Sequence, residues 1–326
     1  MSSLLEVQNL KTWFYTDDGI MPSVDGVSLK INKEEALGLV GESGCGKTML
    51  SLSIIKLIPP PGKTVSGSIM FYGAGEPFDI IKTSEKEMEK IRGSKIAMIF
   101  QDPLTSLNPV FSIEDQMTCP LMIHQKLSKK EALDKAVYML EKVGISGGVK
   151  RIKDYPHHFS GGQRQRIMIA SALSLEPLLL IADEPTTALD VSIQAQILDL
   201  LEQLQEETKT AMIFISHNLG VIADISQRVA VMYGGWIVEE APADKLFANP
   251  LHPYTQALLE SIPSIYGETK TLSGLPGRPP SAGETIKGCK LHPRCPKKML
   301  QKCCYDEPQF LTVEEGHKVR CFIYEK

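Results

Sequence analysis

Apolar positions along this chain change period from one region to the next. Over the first ~35 residues they alternate with polar ones, at positions 5–10 and 27–31, with the turn-like Asp17-Asp18-Gly19 between them. Period-two alternation broken by a turn predicts a small antiparallel sheet. Residues 36–40 then form a short continuous apolar run, 41–46 a glycine-rich loop and 47–57 a helical pattern. A second buried strand is expected at 96–100, ending at Gln101. From 102 to about 174 the pattern is helical, with Ser128 and Glu131 spaced as a capping box ahead of Leu133, Ala136, Val137, Leu140 and Val143, and Gly144 as terminator. Strand and helix patterns then alternate again: 178–182 as strand, 191–207 as amphipathic helix, 211–215 as strand. This alternation predicts an α/β fold with a mostly parallel sheet interrupted by a helical insertion. After about Asn249 the chain turns rich in Pro, Gly and Cys, with Pro276, Gly277, Pro279, Pro280 and Gly283 clustered. The expected division is a core at 1–250, with its helical insertion at about 102–174, and a small Cys-rich C-terminal extension at 251–326.

Composition narrows the classes without naming one. The 326 residues are 43% apolar and 23% charged, which suits a globular chain of one large domain plus an appendix. A net charge of -4 argues against bulk nucleic-acid binding, and there is no basic run to hold the chain on an anionic bilayer by charge. The start, MSSLLEVQNLKTW, lacks a basic segment followed by an apolar one, so no secretory signal is expected. Apolar runs such as 178–182 are far shorter than the ~20 residues that cross a bilayer. Of seven cysteines, Cys45 and Cys119 lie in the first half and five crowd the end. That distribution is unlike a disulfide framework and points to a reducing cytoplasm.

The chemistry enters at Gly41-Glu42-Ser43-Gly44-Cys45-Gly46-Lys47-Thr48, a full phosphate-loop pattern between a strand and a helix. Glycines let successive backbone N–H groups ring a phosphate at a helix N-terminus, where the dipole favours anions. Lys47 is expected to reach the β and γ phosphates of ATP and Thr48 to bind Mg²⁺ through its hydroxyl; Cys45 reads as a small spacer. About 135 residues later, Leu179-Leu180-Ile181-Ala182-Asp183-Glu184 ends a buried strand in two carboxylates. Asp183 suits Mg²⁺ held through its water shell, and Glu184 is the candidate general base.

Phe159-Ser160-Gly161-Gly162-Gln163, followed by Arg164-Gln165-Arg166, resembles the signature motif of ATP-binding-cassette (ABC) ATPases. Its physics also stands alone, since a serine hydroxyl and two glycine N–H groups opening a helix make an anion site. The resemblance implies a RecA-like P-loop core with an N-terminal antiparallel β subdomain. It implies a head-to-tail dimer with a second ABC ATPase subunit, a copy or a related chain, in which each signature closes over the partner's ATP. It further implies that Gln101 touches Mg²⁺ and the attacking water, that Ala188-Leu189-Asp190 crosses the dimer, and that His217 contacts the γ-phosphate. Phe14 fits the position that stacks on adenine, with Tyr15 and Trp13 as rivals. Coiled-coil cassette ATPases of chromosome organisation need hundreds of inserted residues, and the insertion here is only about 60 to 70.

The tail narrows the resemblance. Asn249-Pro250-Leu251-His252-Pro253-Tyr254-Thr255, then Ala257-Leu258-Leu259, together with Tyr155-Pro156-His157, resembles the ATP-binding subunits of dipeptide and oligopeptide importers, a group that also includes nickel importers. Transmembrane permease subunits and, indirectly, an external solute-binding protein are the implied partners, with the chain peripheral on the cytoplasmic face of the cell membrane. Cys289, Cys295, Cys303 and Cys321 are spaced five, seven and seventeen residues apart, with Cys304 beside the third. The spacing suits four thiolates on a metal without naming it, and reduced buried thiols and structural zinc stay open. The resemblance implies a 4Fe-4S cluster there, with Cys303 or Cys304 as third ligand.

Overall fold

The computed structural model describes residues 2–17, 19–73, 75–102, 106–187, 189–261, 275–280, 284 and 286–325. Asp18, Ala188 and Gly283, named above, lie outside them. Strands β1 (Ser3–Thr16) and β2 (Gly19–Asn32) pair antiparallel as the alternation predicts, and β4 (Gly62–Phe71) joins the other side of β1, followed by the short β5 (Phe78–Asp79). The main sheet holds β3 (Ala36–Val40), β6 (Ile96–Ile99), β7 (Leu179–Asp183), β8 (Ala211–Ser216) and β9 (Arg228–Tyr233) as parallel neighbours in the order β9-β3-β8-β7-β6.

These central strands read as continuous apolar runs because both faces are covered. Along β3, Ala36 and Val40 enter one core while Leu37 and Leu39 enter the other; on β8, Met212 and Phe214 part from Ala211, Ile213 and Ile215 in the same way. The first core continues into the helical insertion, whose helices Ile113–Gln125, Lys129–Lys142 and Gly161–Ser174 bury Met117, Leu140 and Ile169. The Ser128–Glu131 capping box opens the second of these helices, with Glu131 Oε2 accepting from the Ser128 N–H at 2.8 Å. The second core lies between the main sheet, the antiparallel sheet and the helix Lys47–Ile54.

That helix ends three residues before the expected position 57. Lys56 adopts φ 54°, in the left-handed region, and Pro59, Pro60 and Pro61 follow, which stops propagation. At the far edge, β10 (Trp236–Pro242) runs antiparallel to β9, and the C-terminal strands β11 (Phe310–Glu314) and β12 (His317–Arg320) extend the same sheet, with Glu239 opposite Val319. The helix Pro253–Glu260 lays the buried Tyr254 ring against Tyr233, centroids 4.6 Å apart. Among the described residues no helix is long and apolar enough to cross a membrane.

Candidate functional site

β3 delivers the phosphate loop to the end of the sheet, and the loop's shape is enforced by its surroundings. Gly46, at φ 108°, caps the helix Lys47–Ile54, and a Cβ there would stand 2.1 Å from the Ser23 carbonyl of β2. Gly44, at φ 80°, faces open space on its Cβ side. Lys47 is buried and lies along the loop, its Nζ donating to the carbonyls of Gly41 at 2.7 Å and Glu42 at 3.1 Å. Cys45 packs in the second core, and burial pushes its thiol up, so the sulfur is a neutral spacer. A cleft of about 570 Å³, within the range of small-molecule sites, opens above the loop. Phe14 lines it beside Gly44, Lys47 and Thr48, whereas Trp13 and Tyr15 are not among the lining residues.

At the adjacent strand end Asp183 is buried, and its environment is unusual for a carboxylate. Burial raises its pKa, while a hydrogen bond with the Thr48 side chain lowers it and the neighbouring Glu184 raises it again. Its Oδ1 has no hydrogen-bond partner. An orphaned buried carboxylate oxygen beside a threonine hydroxyl fits Mg²⁺, a hard cation that takes oxygen ligands and keeps several waters. Glu184 holds φ 46°, an uncommon conformation for a residue with a side chain, with its N–H donating to the Ile215 carbonyl at 3.0 Å. That turn aims the carboxylate into the cleft. Its Oε2 accepts from Gln101 Nε2 at 3.1 Å and Thr187 Oγ1 at 2.9 Å, with His217 Nδ1 at 3.4 Å. Glu184, Gln101 and His217, read separately from the ends of three strands, therefore meet at one oxygen. Thr187 was missed by motif reading; its only signal was its place one turn after Glu184.

The signature segment is built as an N-terminus. Ser160 caps the helix Gly161–Ser174, its Oγ accepting from the Gln163 N–H at 3.3 Å while Gln163 Oε1 accepts from the Ser160 N–H at 3.2 Å. Gly162 sits where a Cβ would stand 2.8 Å from Ile193 Cγ2. Asp190 precedes the helix Val191–Thr208 in an extended conformation. Among the described residues that line the cleft, none comes from the Ser160–Gln163 segment, and Asp190 is not there either.

The expectation of a 4Fe-4S cluster, or of zinc, at the C-terminal cysteines is corrected. Among the described residues no group of three or more His, Cys, Asp or Glu is placed to hold a metal ion. Cys289, Cys295, Cys303 and Cys321 do converge, but on a space of about 10 Å³, no more than the smallest that holds a water. Burial pushes the Cys289 thiol up to about 12 and that of Cys321 up to about 11, and raises that of Cys295, so they are neutral. Cys289 and Cys295 pack against the first core, and Cys303 Sγ accepts from the Met299 N–H at 3.4 Å. Thiols in this setting behave as small apolar side chains. The fold brings them together without making them ligands.

A phosphate loop on β3 with an acidic pair closing β7 defines a P-loop nucleoside-triphosphatase. Residues 24–187 match the family model described as ABC transporter, and residues 238–303 match that of the oligopeptide/dipeptide transporter C-terminal region. The chain belongs to the ABC transporter family of ATPases, and to its oligopeptide/dipeptide branch. It is 50% identical to the Oligopeptide transport ATP-binding protein AppD of Bacillus subtilis (strain 168), over 100% of this chain and 98% of that one, so the likeness is between whole chains. It is 45% identical to the Dipeptide transport ATP-binding protein DppD of the same organism, over 100% and 96%. The structure of the ATP-binding cassette MJ0796 bound to ADP and Pi, a dimer, matches with a TM-score of 0.65 at 25% identity, over 74% of this chain and 99% of that one. The names of AppD and DppD speak of peptide transport and of no iron or zinc.

Proposed function

We propose that this chain is the motor subunit of an importer of dipeptides or oligopeptides, bound to the cytoplasmic face of the membrane through permease subunits that receive solute from an external binding protein. In this reading residues 1–250 form the nucleotide-binding unit and 251–326 the extension. Two ATPs lie at a head-to-tail interface between this chain and a second cassette subunit. The observation that carries the dimer is the split of the motifs. Phe14, Ser43, Gly44, Lys47, Thr48, Gln101 and Glu184 share one cleft, while Ser160 opens a helix elsewhere. An N-terminus with two glycine amides and no acidic side chain in its first turn suits the γ-phosphate of a partner's nucleotide.

Within the cleft each side chain has a task that its chemistry permits. The amides of Gly41, Ser43, Gly44, Cys45 and Gly46 bind phosphate oxygens, Lys47 neutralises the β and γ groups, and Phe14 stacks on the base. Thr48, Asp183 and Gln101 hold Mg²⁺, which when bound offsets charge developing on the phosphates. Glu184 takes the proton of the attacking water, with His217 and Gln101 orienting it, and Ser160, Gly161, Gly162, Gln163 and Asp190 act across the interface. A trans-acting element of this kind is worth on the order of 10³ to 10⁵ in rate for P-loop enzymes. Glu184→Gln should therefore bind ATP, stop hydrolysing it and elute as a stable dimer on size exclusion with ATP. Parent-rate hydrolysis by that variant would remove Glu184 as base. Peptide import is tested by co-purifying the chain with its permease subunits and measuring ATPase stimulation by the solute-loaded binding protein. Stimulation by nickel instead of peptides would reassign the solute.

A further inference from the structure

Glu42, the second residue of the phosphate loop, is gripped by groups that lie more than 200 positions away. Its N–H donates to Tyr254 Oη at 2.7 Å, and its carboxylate accepts from both terminal nitrogens of Arg294, at 2.7 and 3.2 Å. Arg294 is only 7% exposed, although it stands in the Cys-rich stretch one position before Cys295. Its Nε donates to the Pro276 carbonyl at 3.1 Å and its Nη1 reaches the Tyr233 hydroxyl at 3.4 Å, so the guanidinium is oriented by two other groups besides Glu42. Tyr254 is fully buried against Tyr233. From the other side, Lys290 of the same Cys-rich stretch lines the cleft with its Nζ on Asp25 at 2.9 Å and on the Gly234 carbonyl at 2.8 Å.

A bidentate guanidinium–carboxylate pair restrains direction as well as distance, because the planar fork matches the carboxylate only in one plane. Glu42 is followed in the chain by Ser43 and Gly44, which line the cleft. A loop whose donors are aimed before the ligand arrives loses less freedom on binding it. We propose that the C-terminal extension is a built part of the nucleotide site, in which Arg294 is a positioning residue that holds the phosphate loop in its binding shape through Glu42. Tyr254 seconds it at the backbone. The proposal rests on the ATP reading of the loop, and it assigns the extension a role in the ATPase cycle itself, independent of the solute.

The test uses the purified full-length chain, with titration by methylanthraniloyl-ATP, steady-state ATPase kinetics and thermal melting. Arg294→Met and Glu42→Gln are each expected to weaken nucleotide binding at least about fivefold, the lower end of coupling between sites, and to raise KM for ATP by the same factor with a smaller change in kcat. The double variant should bind no more weakly than the worse single one, because both remove one interaction. Arg294→Lys should recover part of the affinity, keeping the charge but not the fork. Lys47→Ala serves as the control for the underlying reading: parent-like nucleotide binding by that variant would overturn the loop's role in binding ATP, not only the part of Arg294. Parent-like affinity and KM in Glu42→Gln would overturn the proposal, as would full multiplication of the two effects in the double variant. Should Arg294→Met fail to fold, Glu42→Gln decides alone, since Glu42 is partly exposed and its change leaves no cavity.

Discussion

Two carboxylates are buried in one sheet with three strands between them, and they are treated in opposite ways. Glu239, on β10, is fully buried and fully served: its oxygens accept from the Leu251 N–H at 2.7 Å, the His252 N–H at 2.9 Å and His317 Nε2 at 2.7 Å. Asp183, on β7, is as deeply buried, yet one of its oxygens has no partner. Glu239 is a fastening, since its three donors tie residues 251, 252 and 317 to β10. Asp183 is held short of its full complement, in keeping with the Mg²⁺ role proposed for it. Burial of a charge does not separate the two cases. Satisfaction does.

That contrast can be broken by substitution at either end. Asp183→Asn keeps the shape and removes the charge; it is expected to lower kcat for ATP about 10²- to 10³-fold, the size of losing one preorganised electrostatic contact, without lowering the melting temperature. A large fall in melting temperature would place Asp183 among the fastenings. Glu239→Ala should do the reverse. It leaves two buried N–H groups and His317 without an acceptor, a loss of about 2 to 5 kcal/mol by denaturant unfolding. An unchanged denaturation midpoint would show that the extension does not depend on Glu239.

The smallest expected effect is one of pH. Burial lowers the His252 pKa from 6.5 to about 4, against the pull of Glu239, which raises it. His252 is therefore neutral in the fold, its Nδ1 accepting from the Tyr254 N–H at 3.2 Å, and gains its proton more readily when unfolded. The stability it contributes is complete above about pH 6.5 and is lost as pH falls toward about 4. His252→Asn, which keeps an acceptor for the Tyr254 N–H, should flatten the slope of unfolding free energy against pH in that window by about one proton. An unaltered slope would put the proton elsewhere.

Much of the site was legible because its chemistry is local. The loop from Gly41 to Thr48 needs glycine where β2 passes 2.1 Å from a would-be Cβ, and a lysine one residue on, and such needs are written at adjacent positions. The central strands were legible for a similar reason, since a strand covered on both faces must be apolar throughout. The N-terminal turn residues, the capping box at Ser128 and the cap at Ser160 are likewise contiguous signals. β4 gave no comparable signal: it is mostly polar and exposed at positions 63–67, and its place is set by pairing with β1.

The amino-acid order by itself determined the α/β core, the phosphate loop and the acidic strand end, because hydrogen-bonding period and backbone reach act over a few residues. Tertiary structure alone decided which distant groups share an oxygen. It brought Gln101 and His217 to Glu184, and it joined Arg294 to Glu42 across 252 positions. It also decided the state of the cysteines, whose spacing is a one-dimensional fact, whereas the volume between them and the burial that keeps them protonated are properties of packing. Side-chain ionisation and pairing depend on what stands across a few ångströms of space, and sequence distance does not carry that information.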